Sequence, residues 1–171
     1  MTNYFTLFNI PVDFNVDLVA LKSKYQTLQK LTHPDRFVNA SDQEKRLYMQ
    51  KNAQINDAYH VLTSPVKRGE HILQVRGFSL VDENATLGDN SFLMQQMLLR
   101  EQLQDAHDAE SFSNFELELT QITADLCEQV ETALAESNDN GNKKAADALT
   151  KLKFLIKLSS EADARREQIL T

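Results

Sequence analysis

The sequence predicts an all-α protein built as two helical units, four helices in the first part and an antiparallel three-helix bundle after them. Three observations carry this. Apolar residues recur three and four positions apart over long stretches, which marks one buried face of a helix. Only four Gly and three Pro punctuate the 171 residues, too few for a turn-rich β fold. The breakers also cluster at a few points, so the periodic segments between them are long.

In order along the chain, a short first helix is expected over Tyr4 to Phe8, closed by Asn9-Ile10-Pro11. The second should run from about Val16 to Thr32, with Asn15 as candidate N-cap and Leu18, Leu21, Tyr25 and Leu28 on one face. Pro34 disfavours helical geometry at His33, so that helix stops there. The third is expected from Ser41 or Asp42 to Thr63, with Leu47, Ile55, Ala58, Tyr59 and Leu62 repeating the apolar signal. Ser64-Pro65 reads as an N-cap followed by Pro at the first helical position, opening a fourth helix to about Val75 that Arg76-Gly77 ends.

Residues 77–90 show no period and contain two Gly, so they read as a linker, with Phe78, Leu80 and Val81 available to tack it onto a neighbour. A helix is expected next from about Ser91 to Ala109. Another follows from about Ser111 to Ser137, with Phe115, Leu119, Ile122, Leu126 and Val130 on its stripe. Residues 137–142 form a strong break, and the last helix should span about Lys143 to Leu170. Short connections between three long helices predict the antiparallel bundle. The expected division is 1–76, a linker at 77–90, and 91–171.

Composition narrows the function. The net charge of −7 hides an asymmetry: residues 1–76 balance at +3 and residues 77–171 at −10. Nucleic acid is therefore not expected as a partner of the whole chain, and halves of opposite sign suggest two binding jobs. The single cysteine, Cys127, cannot close an internal disulfide, which suits a reducing compartment. With Asp125, Glu128 and Glu131 around it, it reads as a small buried hydrophobe rather than a reactive thiol. The opening residues lack the pattern of a signal peptide, and no apolar run approaches the ~20 residues needed to span a bilayer. A soluble, intracellular protein with no membrane partner is expected.

His33-Pro34-Asp35 falls between two helices that should pack on each other, at the tip of a helical hairpin. As a catalytic pair it lacks a nucleophile in an activating context. As a metal site it lacks ligands, since His60, His71 and His107 fall at no ligand-like spacing. Two readings stand side by side: an interhelix turn in which Asp35 satisfies backbone donors, and a docking tip for a partner protein. Lys22, Gln26, Gln29 and Lys30 share one outer sector of the preceding helix. No acid lies between Lys22 and Asp35, so this polar face is positive and leads to the tip.

Around the tip stands a spaced set: Tyr4-Phe5 with Leu7-Phe8, Tyr25 and Leu28, then Ile55-Asn56, Ala58-Tyr59, Leu62 and Pro65. With His33-Pro34-Asp35, this set resembles the J domain of DnaJ-like co-chaperones over residues 1–76. The resemblance implies docking on a DnaK-type chaperone and stimulation of its ATP hydrolysis, with no active site or cofactor in this chain. It implies that His33, Pro34 and Asp35 make the contact, Asp35 meeting an arginine of the chaperone. Lys22, Gln26 and Lys30, with Arg36, would meet an acidic surface.

A second apolar face needs no family to be visible. In the helix from Ser91, the residues Phe92, Gln96, Leu99 and Leu103 make one stripe, while Leu93, Met94, Met97 and Leu98 project across another arc. A bundle helix has one buried side, so part of this arc should stay uncovered, and exposed methionines suit an adaptable protein-binding surface. In the last helix Ala145, Leu149, Leu152 and Ile156 make the stripe, with Phe154 and Leu158 pointing away. The competing reading places these side chains under the linker or against the first unit.

Over residues 1–171 the chain resembles the HscB family of iron–sulfur cluster assembly. The match runs through Tyr4-Phe5-Thr6-Leu7-Phe8, Asn90-Ser91-Phe92-Leu93-Met94-Gln95-Gln96-Met97, Leu99-Arg100-Glu101 and Lys151-Leu152-Lys153-Phe154-Leu155. That resemblance implies a C-terminal domain that binds the cluster scaffold IscU and delivers it to the specialised chaperone HscA. Leu93, Met94, Met97 and Phe154, with Arg100 and Glu101 as polar rim, are the implied scaffold-binding residues. One departure is Leu98, where relatives carry an acid. The other is Gly69-Glu70-His71, in place of an Ala-Glu-Tyr type run, which is expected to loosen the fourth helix. The cysteine-rich extension of some eukaryotic members is missing, so no zinc site is expected and a bacterial cytoplasmic protein fits best. The alternative is a J-domain co-chaperone serving a different client.

Overall fold

The computed structural model describes residues 1–80 and 89–171, and no strand is present among them. Among the described residues there are seven α-helices: α1 (Tyr4–Leu7), α2 (Leu18–Thr32), α3 (Asp42–Thr63), α4 (Pro65–Val75), α5 (Asn90–Asp105), α6 (Ala109–Ala135) and α7 (Asp139–Leu170), with a 3-10 turn at Pro34–Phe37 after α2. The chain divides into two compact units, Met1–Gly77 and Phe78–Thr171. Residues 81–88 of the expected linker, Val81 among them, lie outside the described residues.

Caps explain most boundaries. The carboxylate of Asp17, not the side chain of Asn15, accepts from the Val19 and Ala20 amides and starts α2 two residues later than expected. Ser41 and Glu44 close a capping box on α3. Ser64 caps α4 with Pro65 at its first position, and Gly77 at φ +74° carries the chain out of the helix.

The first unit is a hairpin of α2 and α3 closed by α1 and α4. Its core is Phe5, Phe8, Phe14, Leu21, Ile55, Ala58, Leu62, Val66, Ile72 and Leu73. Leu18 and Leu47, expected on the packed faces, are each 47% exposed. Cross-hairpin contacts pair Thr32 with Asn52 and Tyr25 with Asn56 and Tyr59. Continued outward, that register carries Leu18 past the end of α3 and Leu47 past the end of α2, so each lies beyond the stretch where the two long helices face each other.

The expected loosening of α4 is absent. His71 is 3% exposed, its Nε2 accepts the Tyr4 amide at 3.0 Å, and its ring stacks on Tyr4 at 4.6 Å. It therefore fastens α1 onto α4. Burial pushes its pKa below the ordinary histidine value, against a smaller opposing hydrogen bond with Gln74. Arg68, 7% exposed, donates to the Leu62 carbonyl at 2.7 Å and lies over the Phe14 ring at 5.0 Å.

In the second unit α6 and α7 form the long pair and α5 packs on them. Three helix ends depart from the sequence expectation. α5 stops at Asp105, four residues before Ala109, because Ala106 turns extended and Asp108 closes a capping box with Ser111 that starts α6. α6 ends at Ala135 with Ser137 at φ +51°. α7 begins at Asp139 instead of Lys143, capped by Asn138, which accepts the Gly141 amide at 2.7 Å. The Gly that reads as a breaker lies inside that first turn: a Cβ on Gly141 would stand 2.4 Å from the Ala133 carbonyl oxygen.

The core of α7 also differs. Ile156 is 50% exposed, while Leu155 and Leu158, at 1% and 0%, are buried with Ala145, Ala148, Leu149, Leu152 and Ala162. Along Gly141, Ala145, Ala148, Leu152, Leu155 and Ala162 the buried positions keep a seven-residue repeat. Such a seam drifts by ~20° per heptad from a 3.6-residue wheel, enough to move Leu155 in and Ile156 out. Cys127 is half-buried rather than buried. No helix among the described residues is long and apolar enough to cross a membrane.

Candidate functional site

The hairpin tip is built by a ladder of polar contacts that ties α2 to α3 up to its last turn. Tyr25 stacks on Tyr59 at 4.0 Å and its hydroxyl donates to Asn56 Oδ1 at 2.8 Å. Asn56 Nδ2 donates to Asn52 Oδ1, Asn52 Nδ2 donates to Thr32 Oγ1 at 3.0 Å, and Thr32 Oγ1 donates to the Leu28 carbonyl. Beyond the tip Phe37 stacks on Tyr48 at 3.6 Å. Rings and amides thus grip the turn from both sides.

Within the turn, His33 rather than Asp35 satisfies the backbone donor. Its Nδ1 accepts the Asp35 amide at 3.3 Å. The same nitrogen lies 3.5 Å from Asp35 Oδ2, and the carboxylate side chain is 88% exposed. The capped-turn reading therefore survives with its roles exchanged, and the acid is left facing solvent. His33, Pro34, Asp35 and Arg36 are all exposed. Arg36 Nη1 reaches back to the Lys30 carbonyl at 3.5 Å, which makes its charge continuous with the α2 face.

On that face Lys22, Gln26 and Lys30 are exposed and Gln29 is half-buried. Lys24 is turned away, its Nζ donating to the Phe8 and Asn9 carbonyls at 3.3 and 3.1 Å. The face is cationic, and it ends at a carboxylate.

The second site is the outer side of α5. Met94, Met97 and Leu98 are 66%, 72% and 58% exposed, and Leu93 is half-buried beside them. Phe92, Leu99 and Leu103 turn the opposite stripe into the core. Phe154 of α7 is half-buried, its ring edge-on to Phe92 at 5.8 Å. Arg100 is held over the Phe154 ring at 5.4 Å and bonded to Glu161 at 3.0 Å, while Glu101 is exposed.

At the other end of α5, the Asp89 side chain accepts the Ser91 and Phe92 amides and caps the helix. Its second oxygen meets Lys151 Nζ at 2.9 Å, with Asp147 at 3.2 Å from the same amine. Lys151 also lies over the Phe92 ring at 5.4 Å. The Lys151 bond, then the Phe92 amide, draw the Asp89 carboxyl below its ordinary range. Burial pulls Lys151 down, but hydrogen bonds to Asp89 and Asp147 outweigh it and hold the amine above its ordinary value.

Every docking residue expected from the sequence is thus at the surface or its edge, in two separate groups. The residues that hold them in place were not anticipated: Asn52 and Asn56 under the tip, Glu161, Asp89 and the role of Lys151 under α5. Their partners lie 20 to 62 positions away, and one sequence carries no signal of such pairing. Among the described residues no group of three His, Cys, Asp or Glu is placed to hold a metal ion.

Comparison with known proteins identifies the family of the chain. Residues 3–71 match the DnaJ domain and residues 88–163 match the HSCB C-terminal oligomerisation domain. The chain is 46% identical to a co-chaperone protein HscB homolog of Pseudoalteromonas atlantica over 171 residues, covering 98% of both. A homolog of the same name from Colwellia psychrerythraea is 44% identical, again over 98% of both. The fold is similar to chaperone HscB from Vibrio cholerae, with TM-score 0.86, 36% identity and 98% and 99% of the two chains covered. It is also similar to the human co-chaperone HscB crystal structure, with TM-score 0.90, 26% identity, and 97% of this chain and 83% of that one covered. A J domain followed by this helical domain, in relatives that match end to end, makes the chain a member of the HscB family of co-chaperones.

Proposed function

We propose that this protein is a two-armed adaptor of iron–sulfur cluster assembly. One arm, the hairpin tip with the basic α2 face, docks on the DnaK-type chaperone HscA and stimulates its ATP hydrolysis. The other, the α5 face with Phe154, binds the scaffold IscU and brings it to that chaperone. The observation that carries the reading is that one chain exposes both a solvent-facing Asp35 at a braced tip and an uncovered Met94–Met97–Leu98 surface.

The chemistry is binding rather than turnover. Asp35 meets a chaperone arginine, and His33 holds the turn that presents it. Lys22, Gln26, Lys30 and Arg36 complement an acidic surface and speed encounter. Leu93, Met94, Met97 and Phe154 bury apolar area against the scaffold, with Arg100 and Glu101 at the rim. Carrying both sites in one chain raises the local concentration of scaffold at the chaperone. The place of action is the bacterial cytoplasm.

The test is chaperone ATPase activity with scaffold, with this protein, and with both. Stimulation by both together beyond the product of the separate effects is expected; strictly independent effects would overturn the adaptor reading. A second reading assigns the α5 face to self-association, the property named for the matched C-terminal domain. Light scattering of wild type and Met94→Glu/Met97→Glu separates the two. A mass that falls on substitution favours self-association, and an unchanged mass with lost scaffold capture favours the adaptor.

A further inference from the structure

The α5 face is a single helix carrying its apolar side chains outward, so its usefulness as a docking surface depends on how firmly that helix is held from behind. A mobile helix would lose conformational freedom on binding and so bind more weakly. Ion pairs from α7 grip it at its N-terminus and, further along, at Arg100. Glu161 holds Arg100. Lys151 holds Asp89, which is itself the N-cap of α5.

The Lys151 contact is the more constrained of the two. Its side chain is 16% exposed, against 47% for Arg100. The amine bonds Asp89 on the neighbouring segment and Asp147 one turn back on its own helix, which leaves it a fixed direction. It also lies over the Phe92 ring, and Phe92 in turn meets Phe154 edge to face. The amine therefore touches both the cap of α5 and the first core residue of α5. Within the next turn and a half stand Leu93, Met94 and Met97.

Resting on the scaffold-binding reading above, we propose that Lys151 is a positioning residue for the docking face. Through Asp89 and Phe92 it fixes the N-terminal turn of α5 against α7, so that Leu93, Met94, Met97 and Phe154 are preorganised as one surface without Lys151 touching the scaffold itself.

The experiment compares full-length wild type with Asp89→Asn, Lys151→Met, Lys151→Arg and Met94→Ala/Met97→Ala. Asp89→Asn keeps a side-chain acceptor for the cap and removes the charge. Lys151→Met keeps the apolar stem over Phe92 and removes the amine. Two readouts are taken: amide hydrogen exchange of residues 90–97, and affinity for purified cluster scaffold protein. Lys151→Met and Asp89→Asn are expected to exchange about tenfold faster over that segment and to bind scaffold about tenfold more weakly. Lys151→Arg should stay within about twofold of wild type on both, because a guanidinium also donates charge-assisted bonds to the Asp89 and Asp147 carboxylates.

Exchange and affinity both unchanged in Lys151→Met would overturn the proposal. So would faster exchange with unchanged affinity when Met94→Ala/Met97→Ala binds weakly, or failure of Lys151→Arg to restore either readout. If Met94→Ala/Met97→Ala binds as wild type, the scaffold reading falls instead. Exchange alone then decides the clamp: acceleration supports it and none overturns it. Should Lys151→Met fail to fold, Asp89→Asn carries the same comparison.

Discussion

The Nδ1 atom of His33 accepts the backbone N–H of Asp35 at 3.3 Å, so the imidazole holds the turn while the carboxylate it precedes faces solvent. The two residues divide the work of the tip. One bonds back to the backbone, and the other presents its charge outward. Asp35→Asn removes the outward charge and leaves the ring-to-amide bond, and His33→Gln removes the ring that holds the turn. Both variants are expected to keep the helical circular dichroism of wild type and to lose chaperone ATPase stimulation. The loss follows because removing one partner of a hydrogen-bonded charge pair buried at an interface costs about 2–5 kcal/mol. Full stimulation by either folded variant would sink the docking role.

Asn52 bridges Thr32 at the end of α2 and Asn56 on its own helix. Asn52→Ala removes that rung and leaves the ring stack of Tyr25 on Tyr59. A loss of about 1 kcal/mol in stability is expected from a part-buried hydrogen bond. Stimulation should fall by more than that loss of folded protein explains. Urea titration alongside a stimulation assay at a concentration where the variant is folded checks this.

His71 is neutral in the folded protein, because its Nε2 accepts the Tyr4 amide. Its folded pKa lies below the ordinary value of 6.5, so the unfolded chain takes up the proton first. The stabilising contribution is fully present above about pH 6.5 and is lost as pH falls through that value toward the folded pKa. Thermal melts between pH 7.5 and 5 should show Tm of the first unit dropping. His71→Phe should flatten that drop, and an identical slope in the variant would assign the effect to other groups.

Gly141→Ala places a methyl 2.4 Å from the Ala133 carbonyl oxygen and 2.7 Å from the Glu136 Cβ. Ala favours a helix over Gly by roughly 1 kcal/mol, but the clash is with backbone that cannot swing aside. Overpacking of this kind costs about 1–3 kcal/mol, so net destabilisation is expected. Chemical denaturation reads it directly; a more stable variant would show that the α6–α7 turn yields.

Phe154→Ala removes the ring that packs edge-on to Phe92 and lies under Arg100. Because the ring is half-buried, scaffold affinity should fall more than stability. A tenfold or larger loss of capture with a Tm shift of a few degrees is expected at a binding hot spot. A large Tm shift with unchanged capture would assign Phe154 to the core.

Much of this protein is readable along the chain because its signals are local. Helix periodicity, Pro34 after His33, Ser64-Pro65 and Gly77 act within a few residues of themselves, and all seven helices fall where they point. Boundaries failed where two local signals compete. Asn140-Gly141 reads as a break, yet Asn138 caps the helix and Gly141 is chosen for a close approach of α6 that no local pattern reveals. Likewise Asp17 displaces Asn15 because its oxygen reaches both the Val19 and Ala20 amides.

The sequence by itself determined the all-α class and the family, and it proposed two sets of docking residues, because exposed motif residues and amphipathic faces are properties of one helix at a time. Only the tertiary structure decided what holds them: His33 on the Asp35 amide, Asn52 on Thr32, Lys151 on Asp89, Glu161 on Arg100. It also decided which of Leu155 and Ile156 enters the core, through a seven-residue seam that a 3.6-residue wheel misplaces. Those choices depend on the register and crossing of helices distant in the chain, and packing of two surfaces against each other is a property of neither alone.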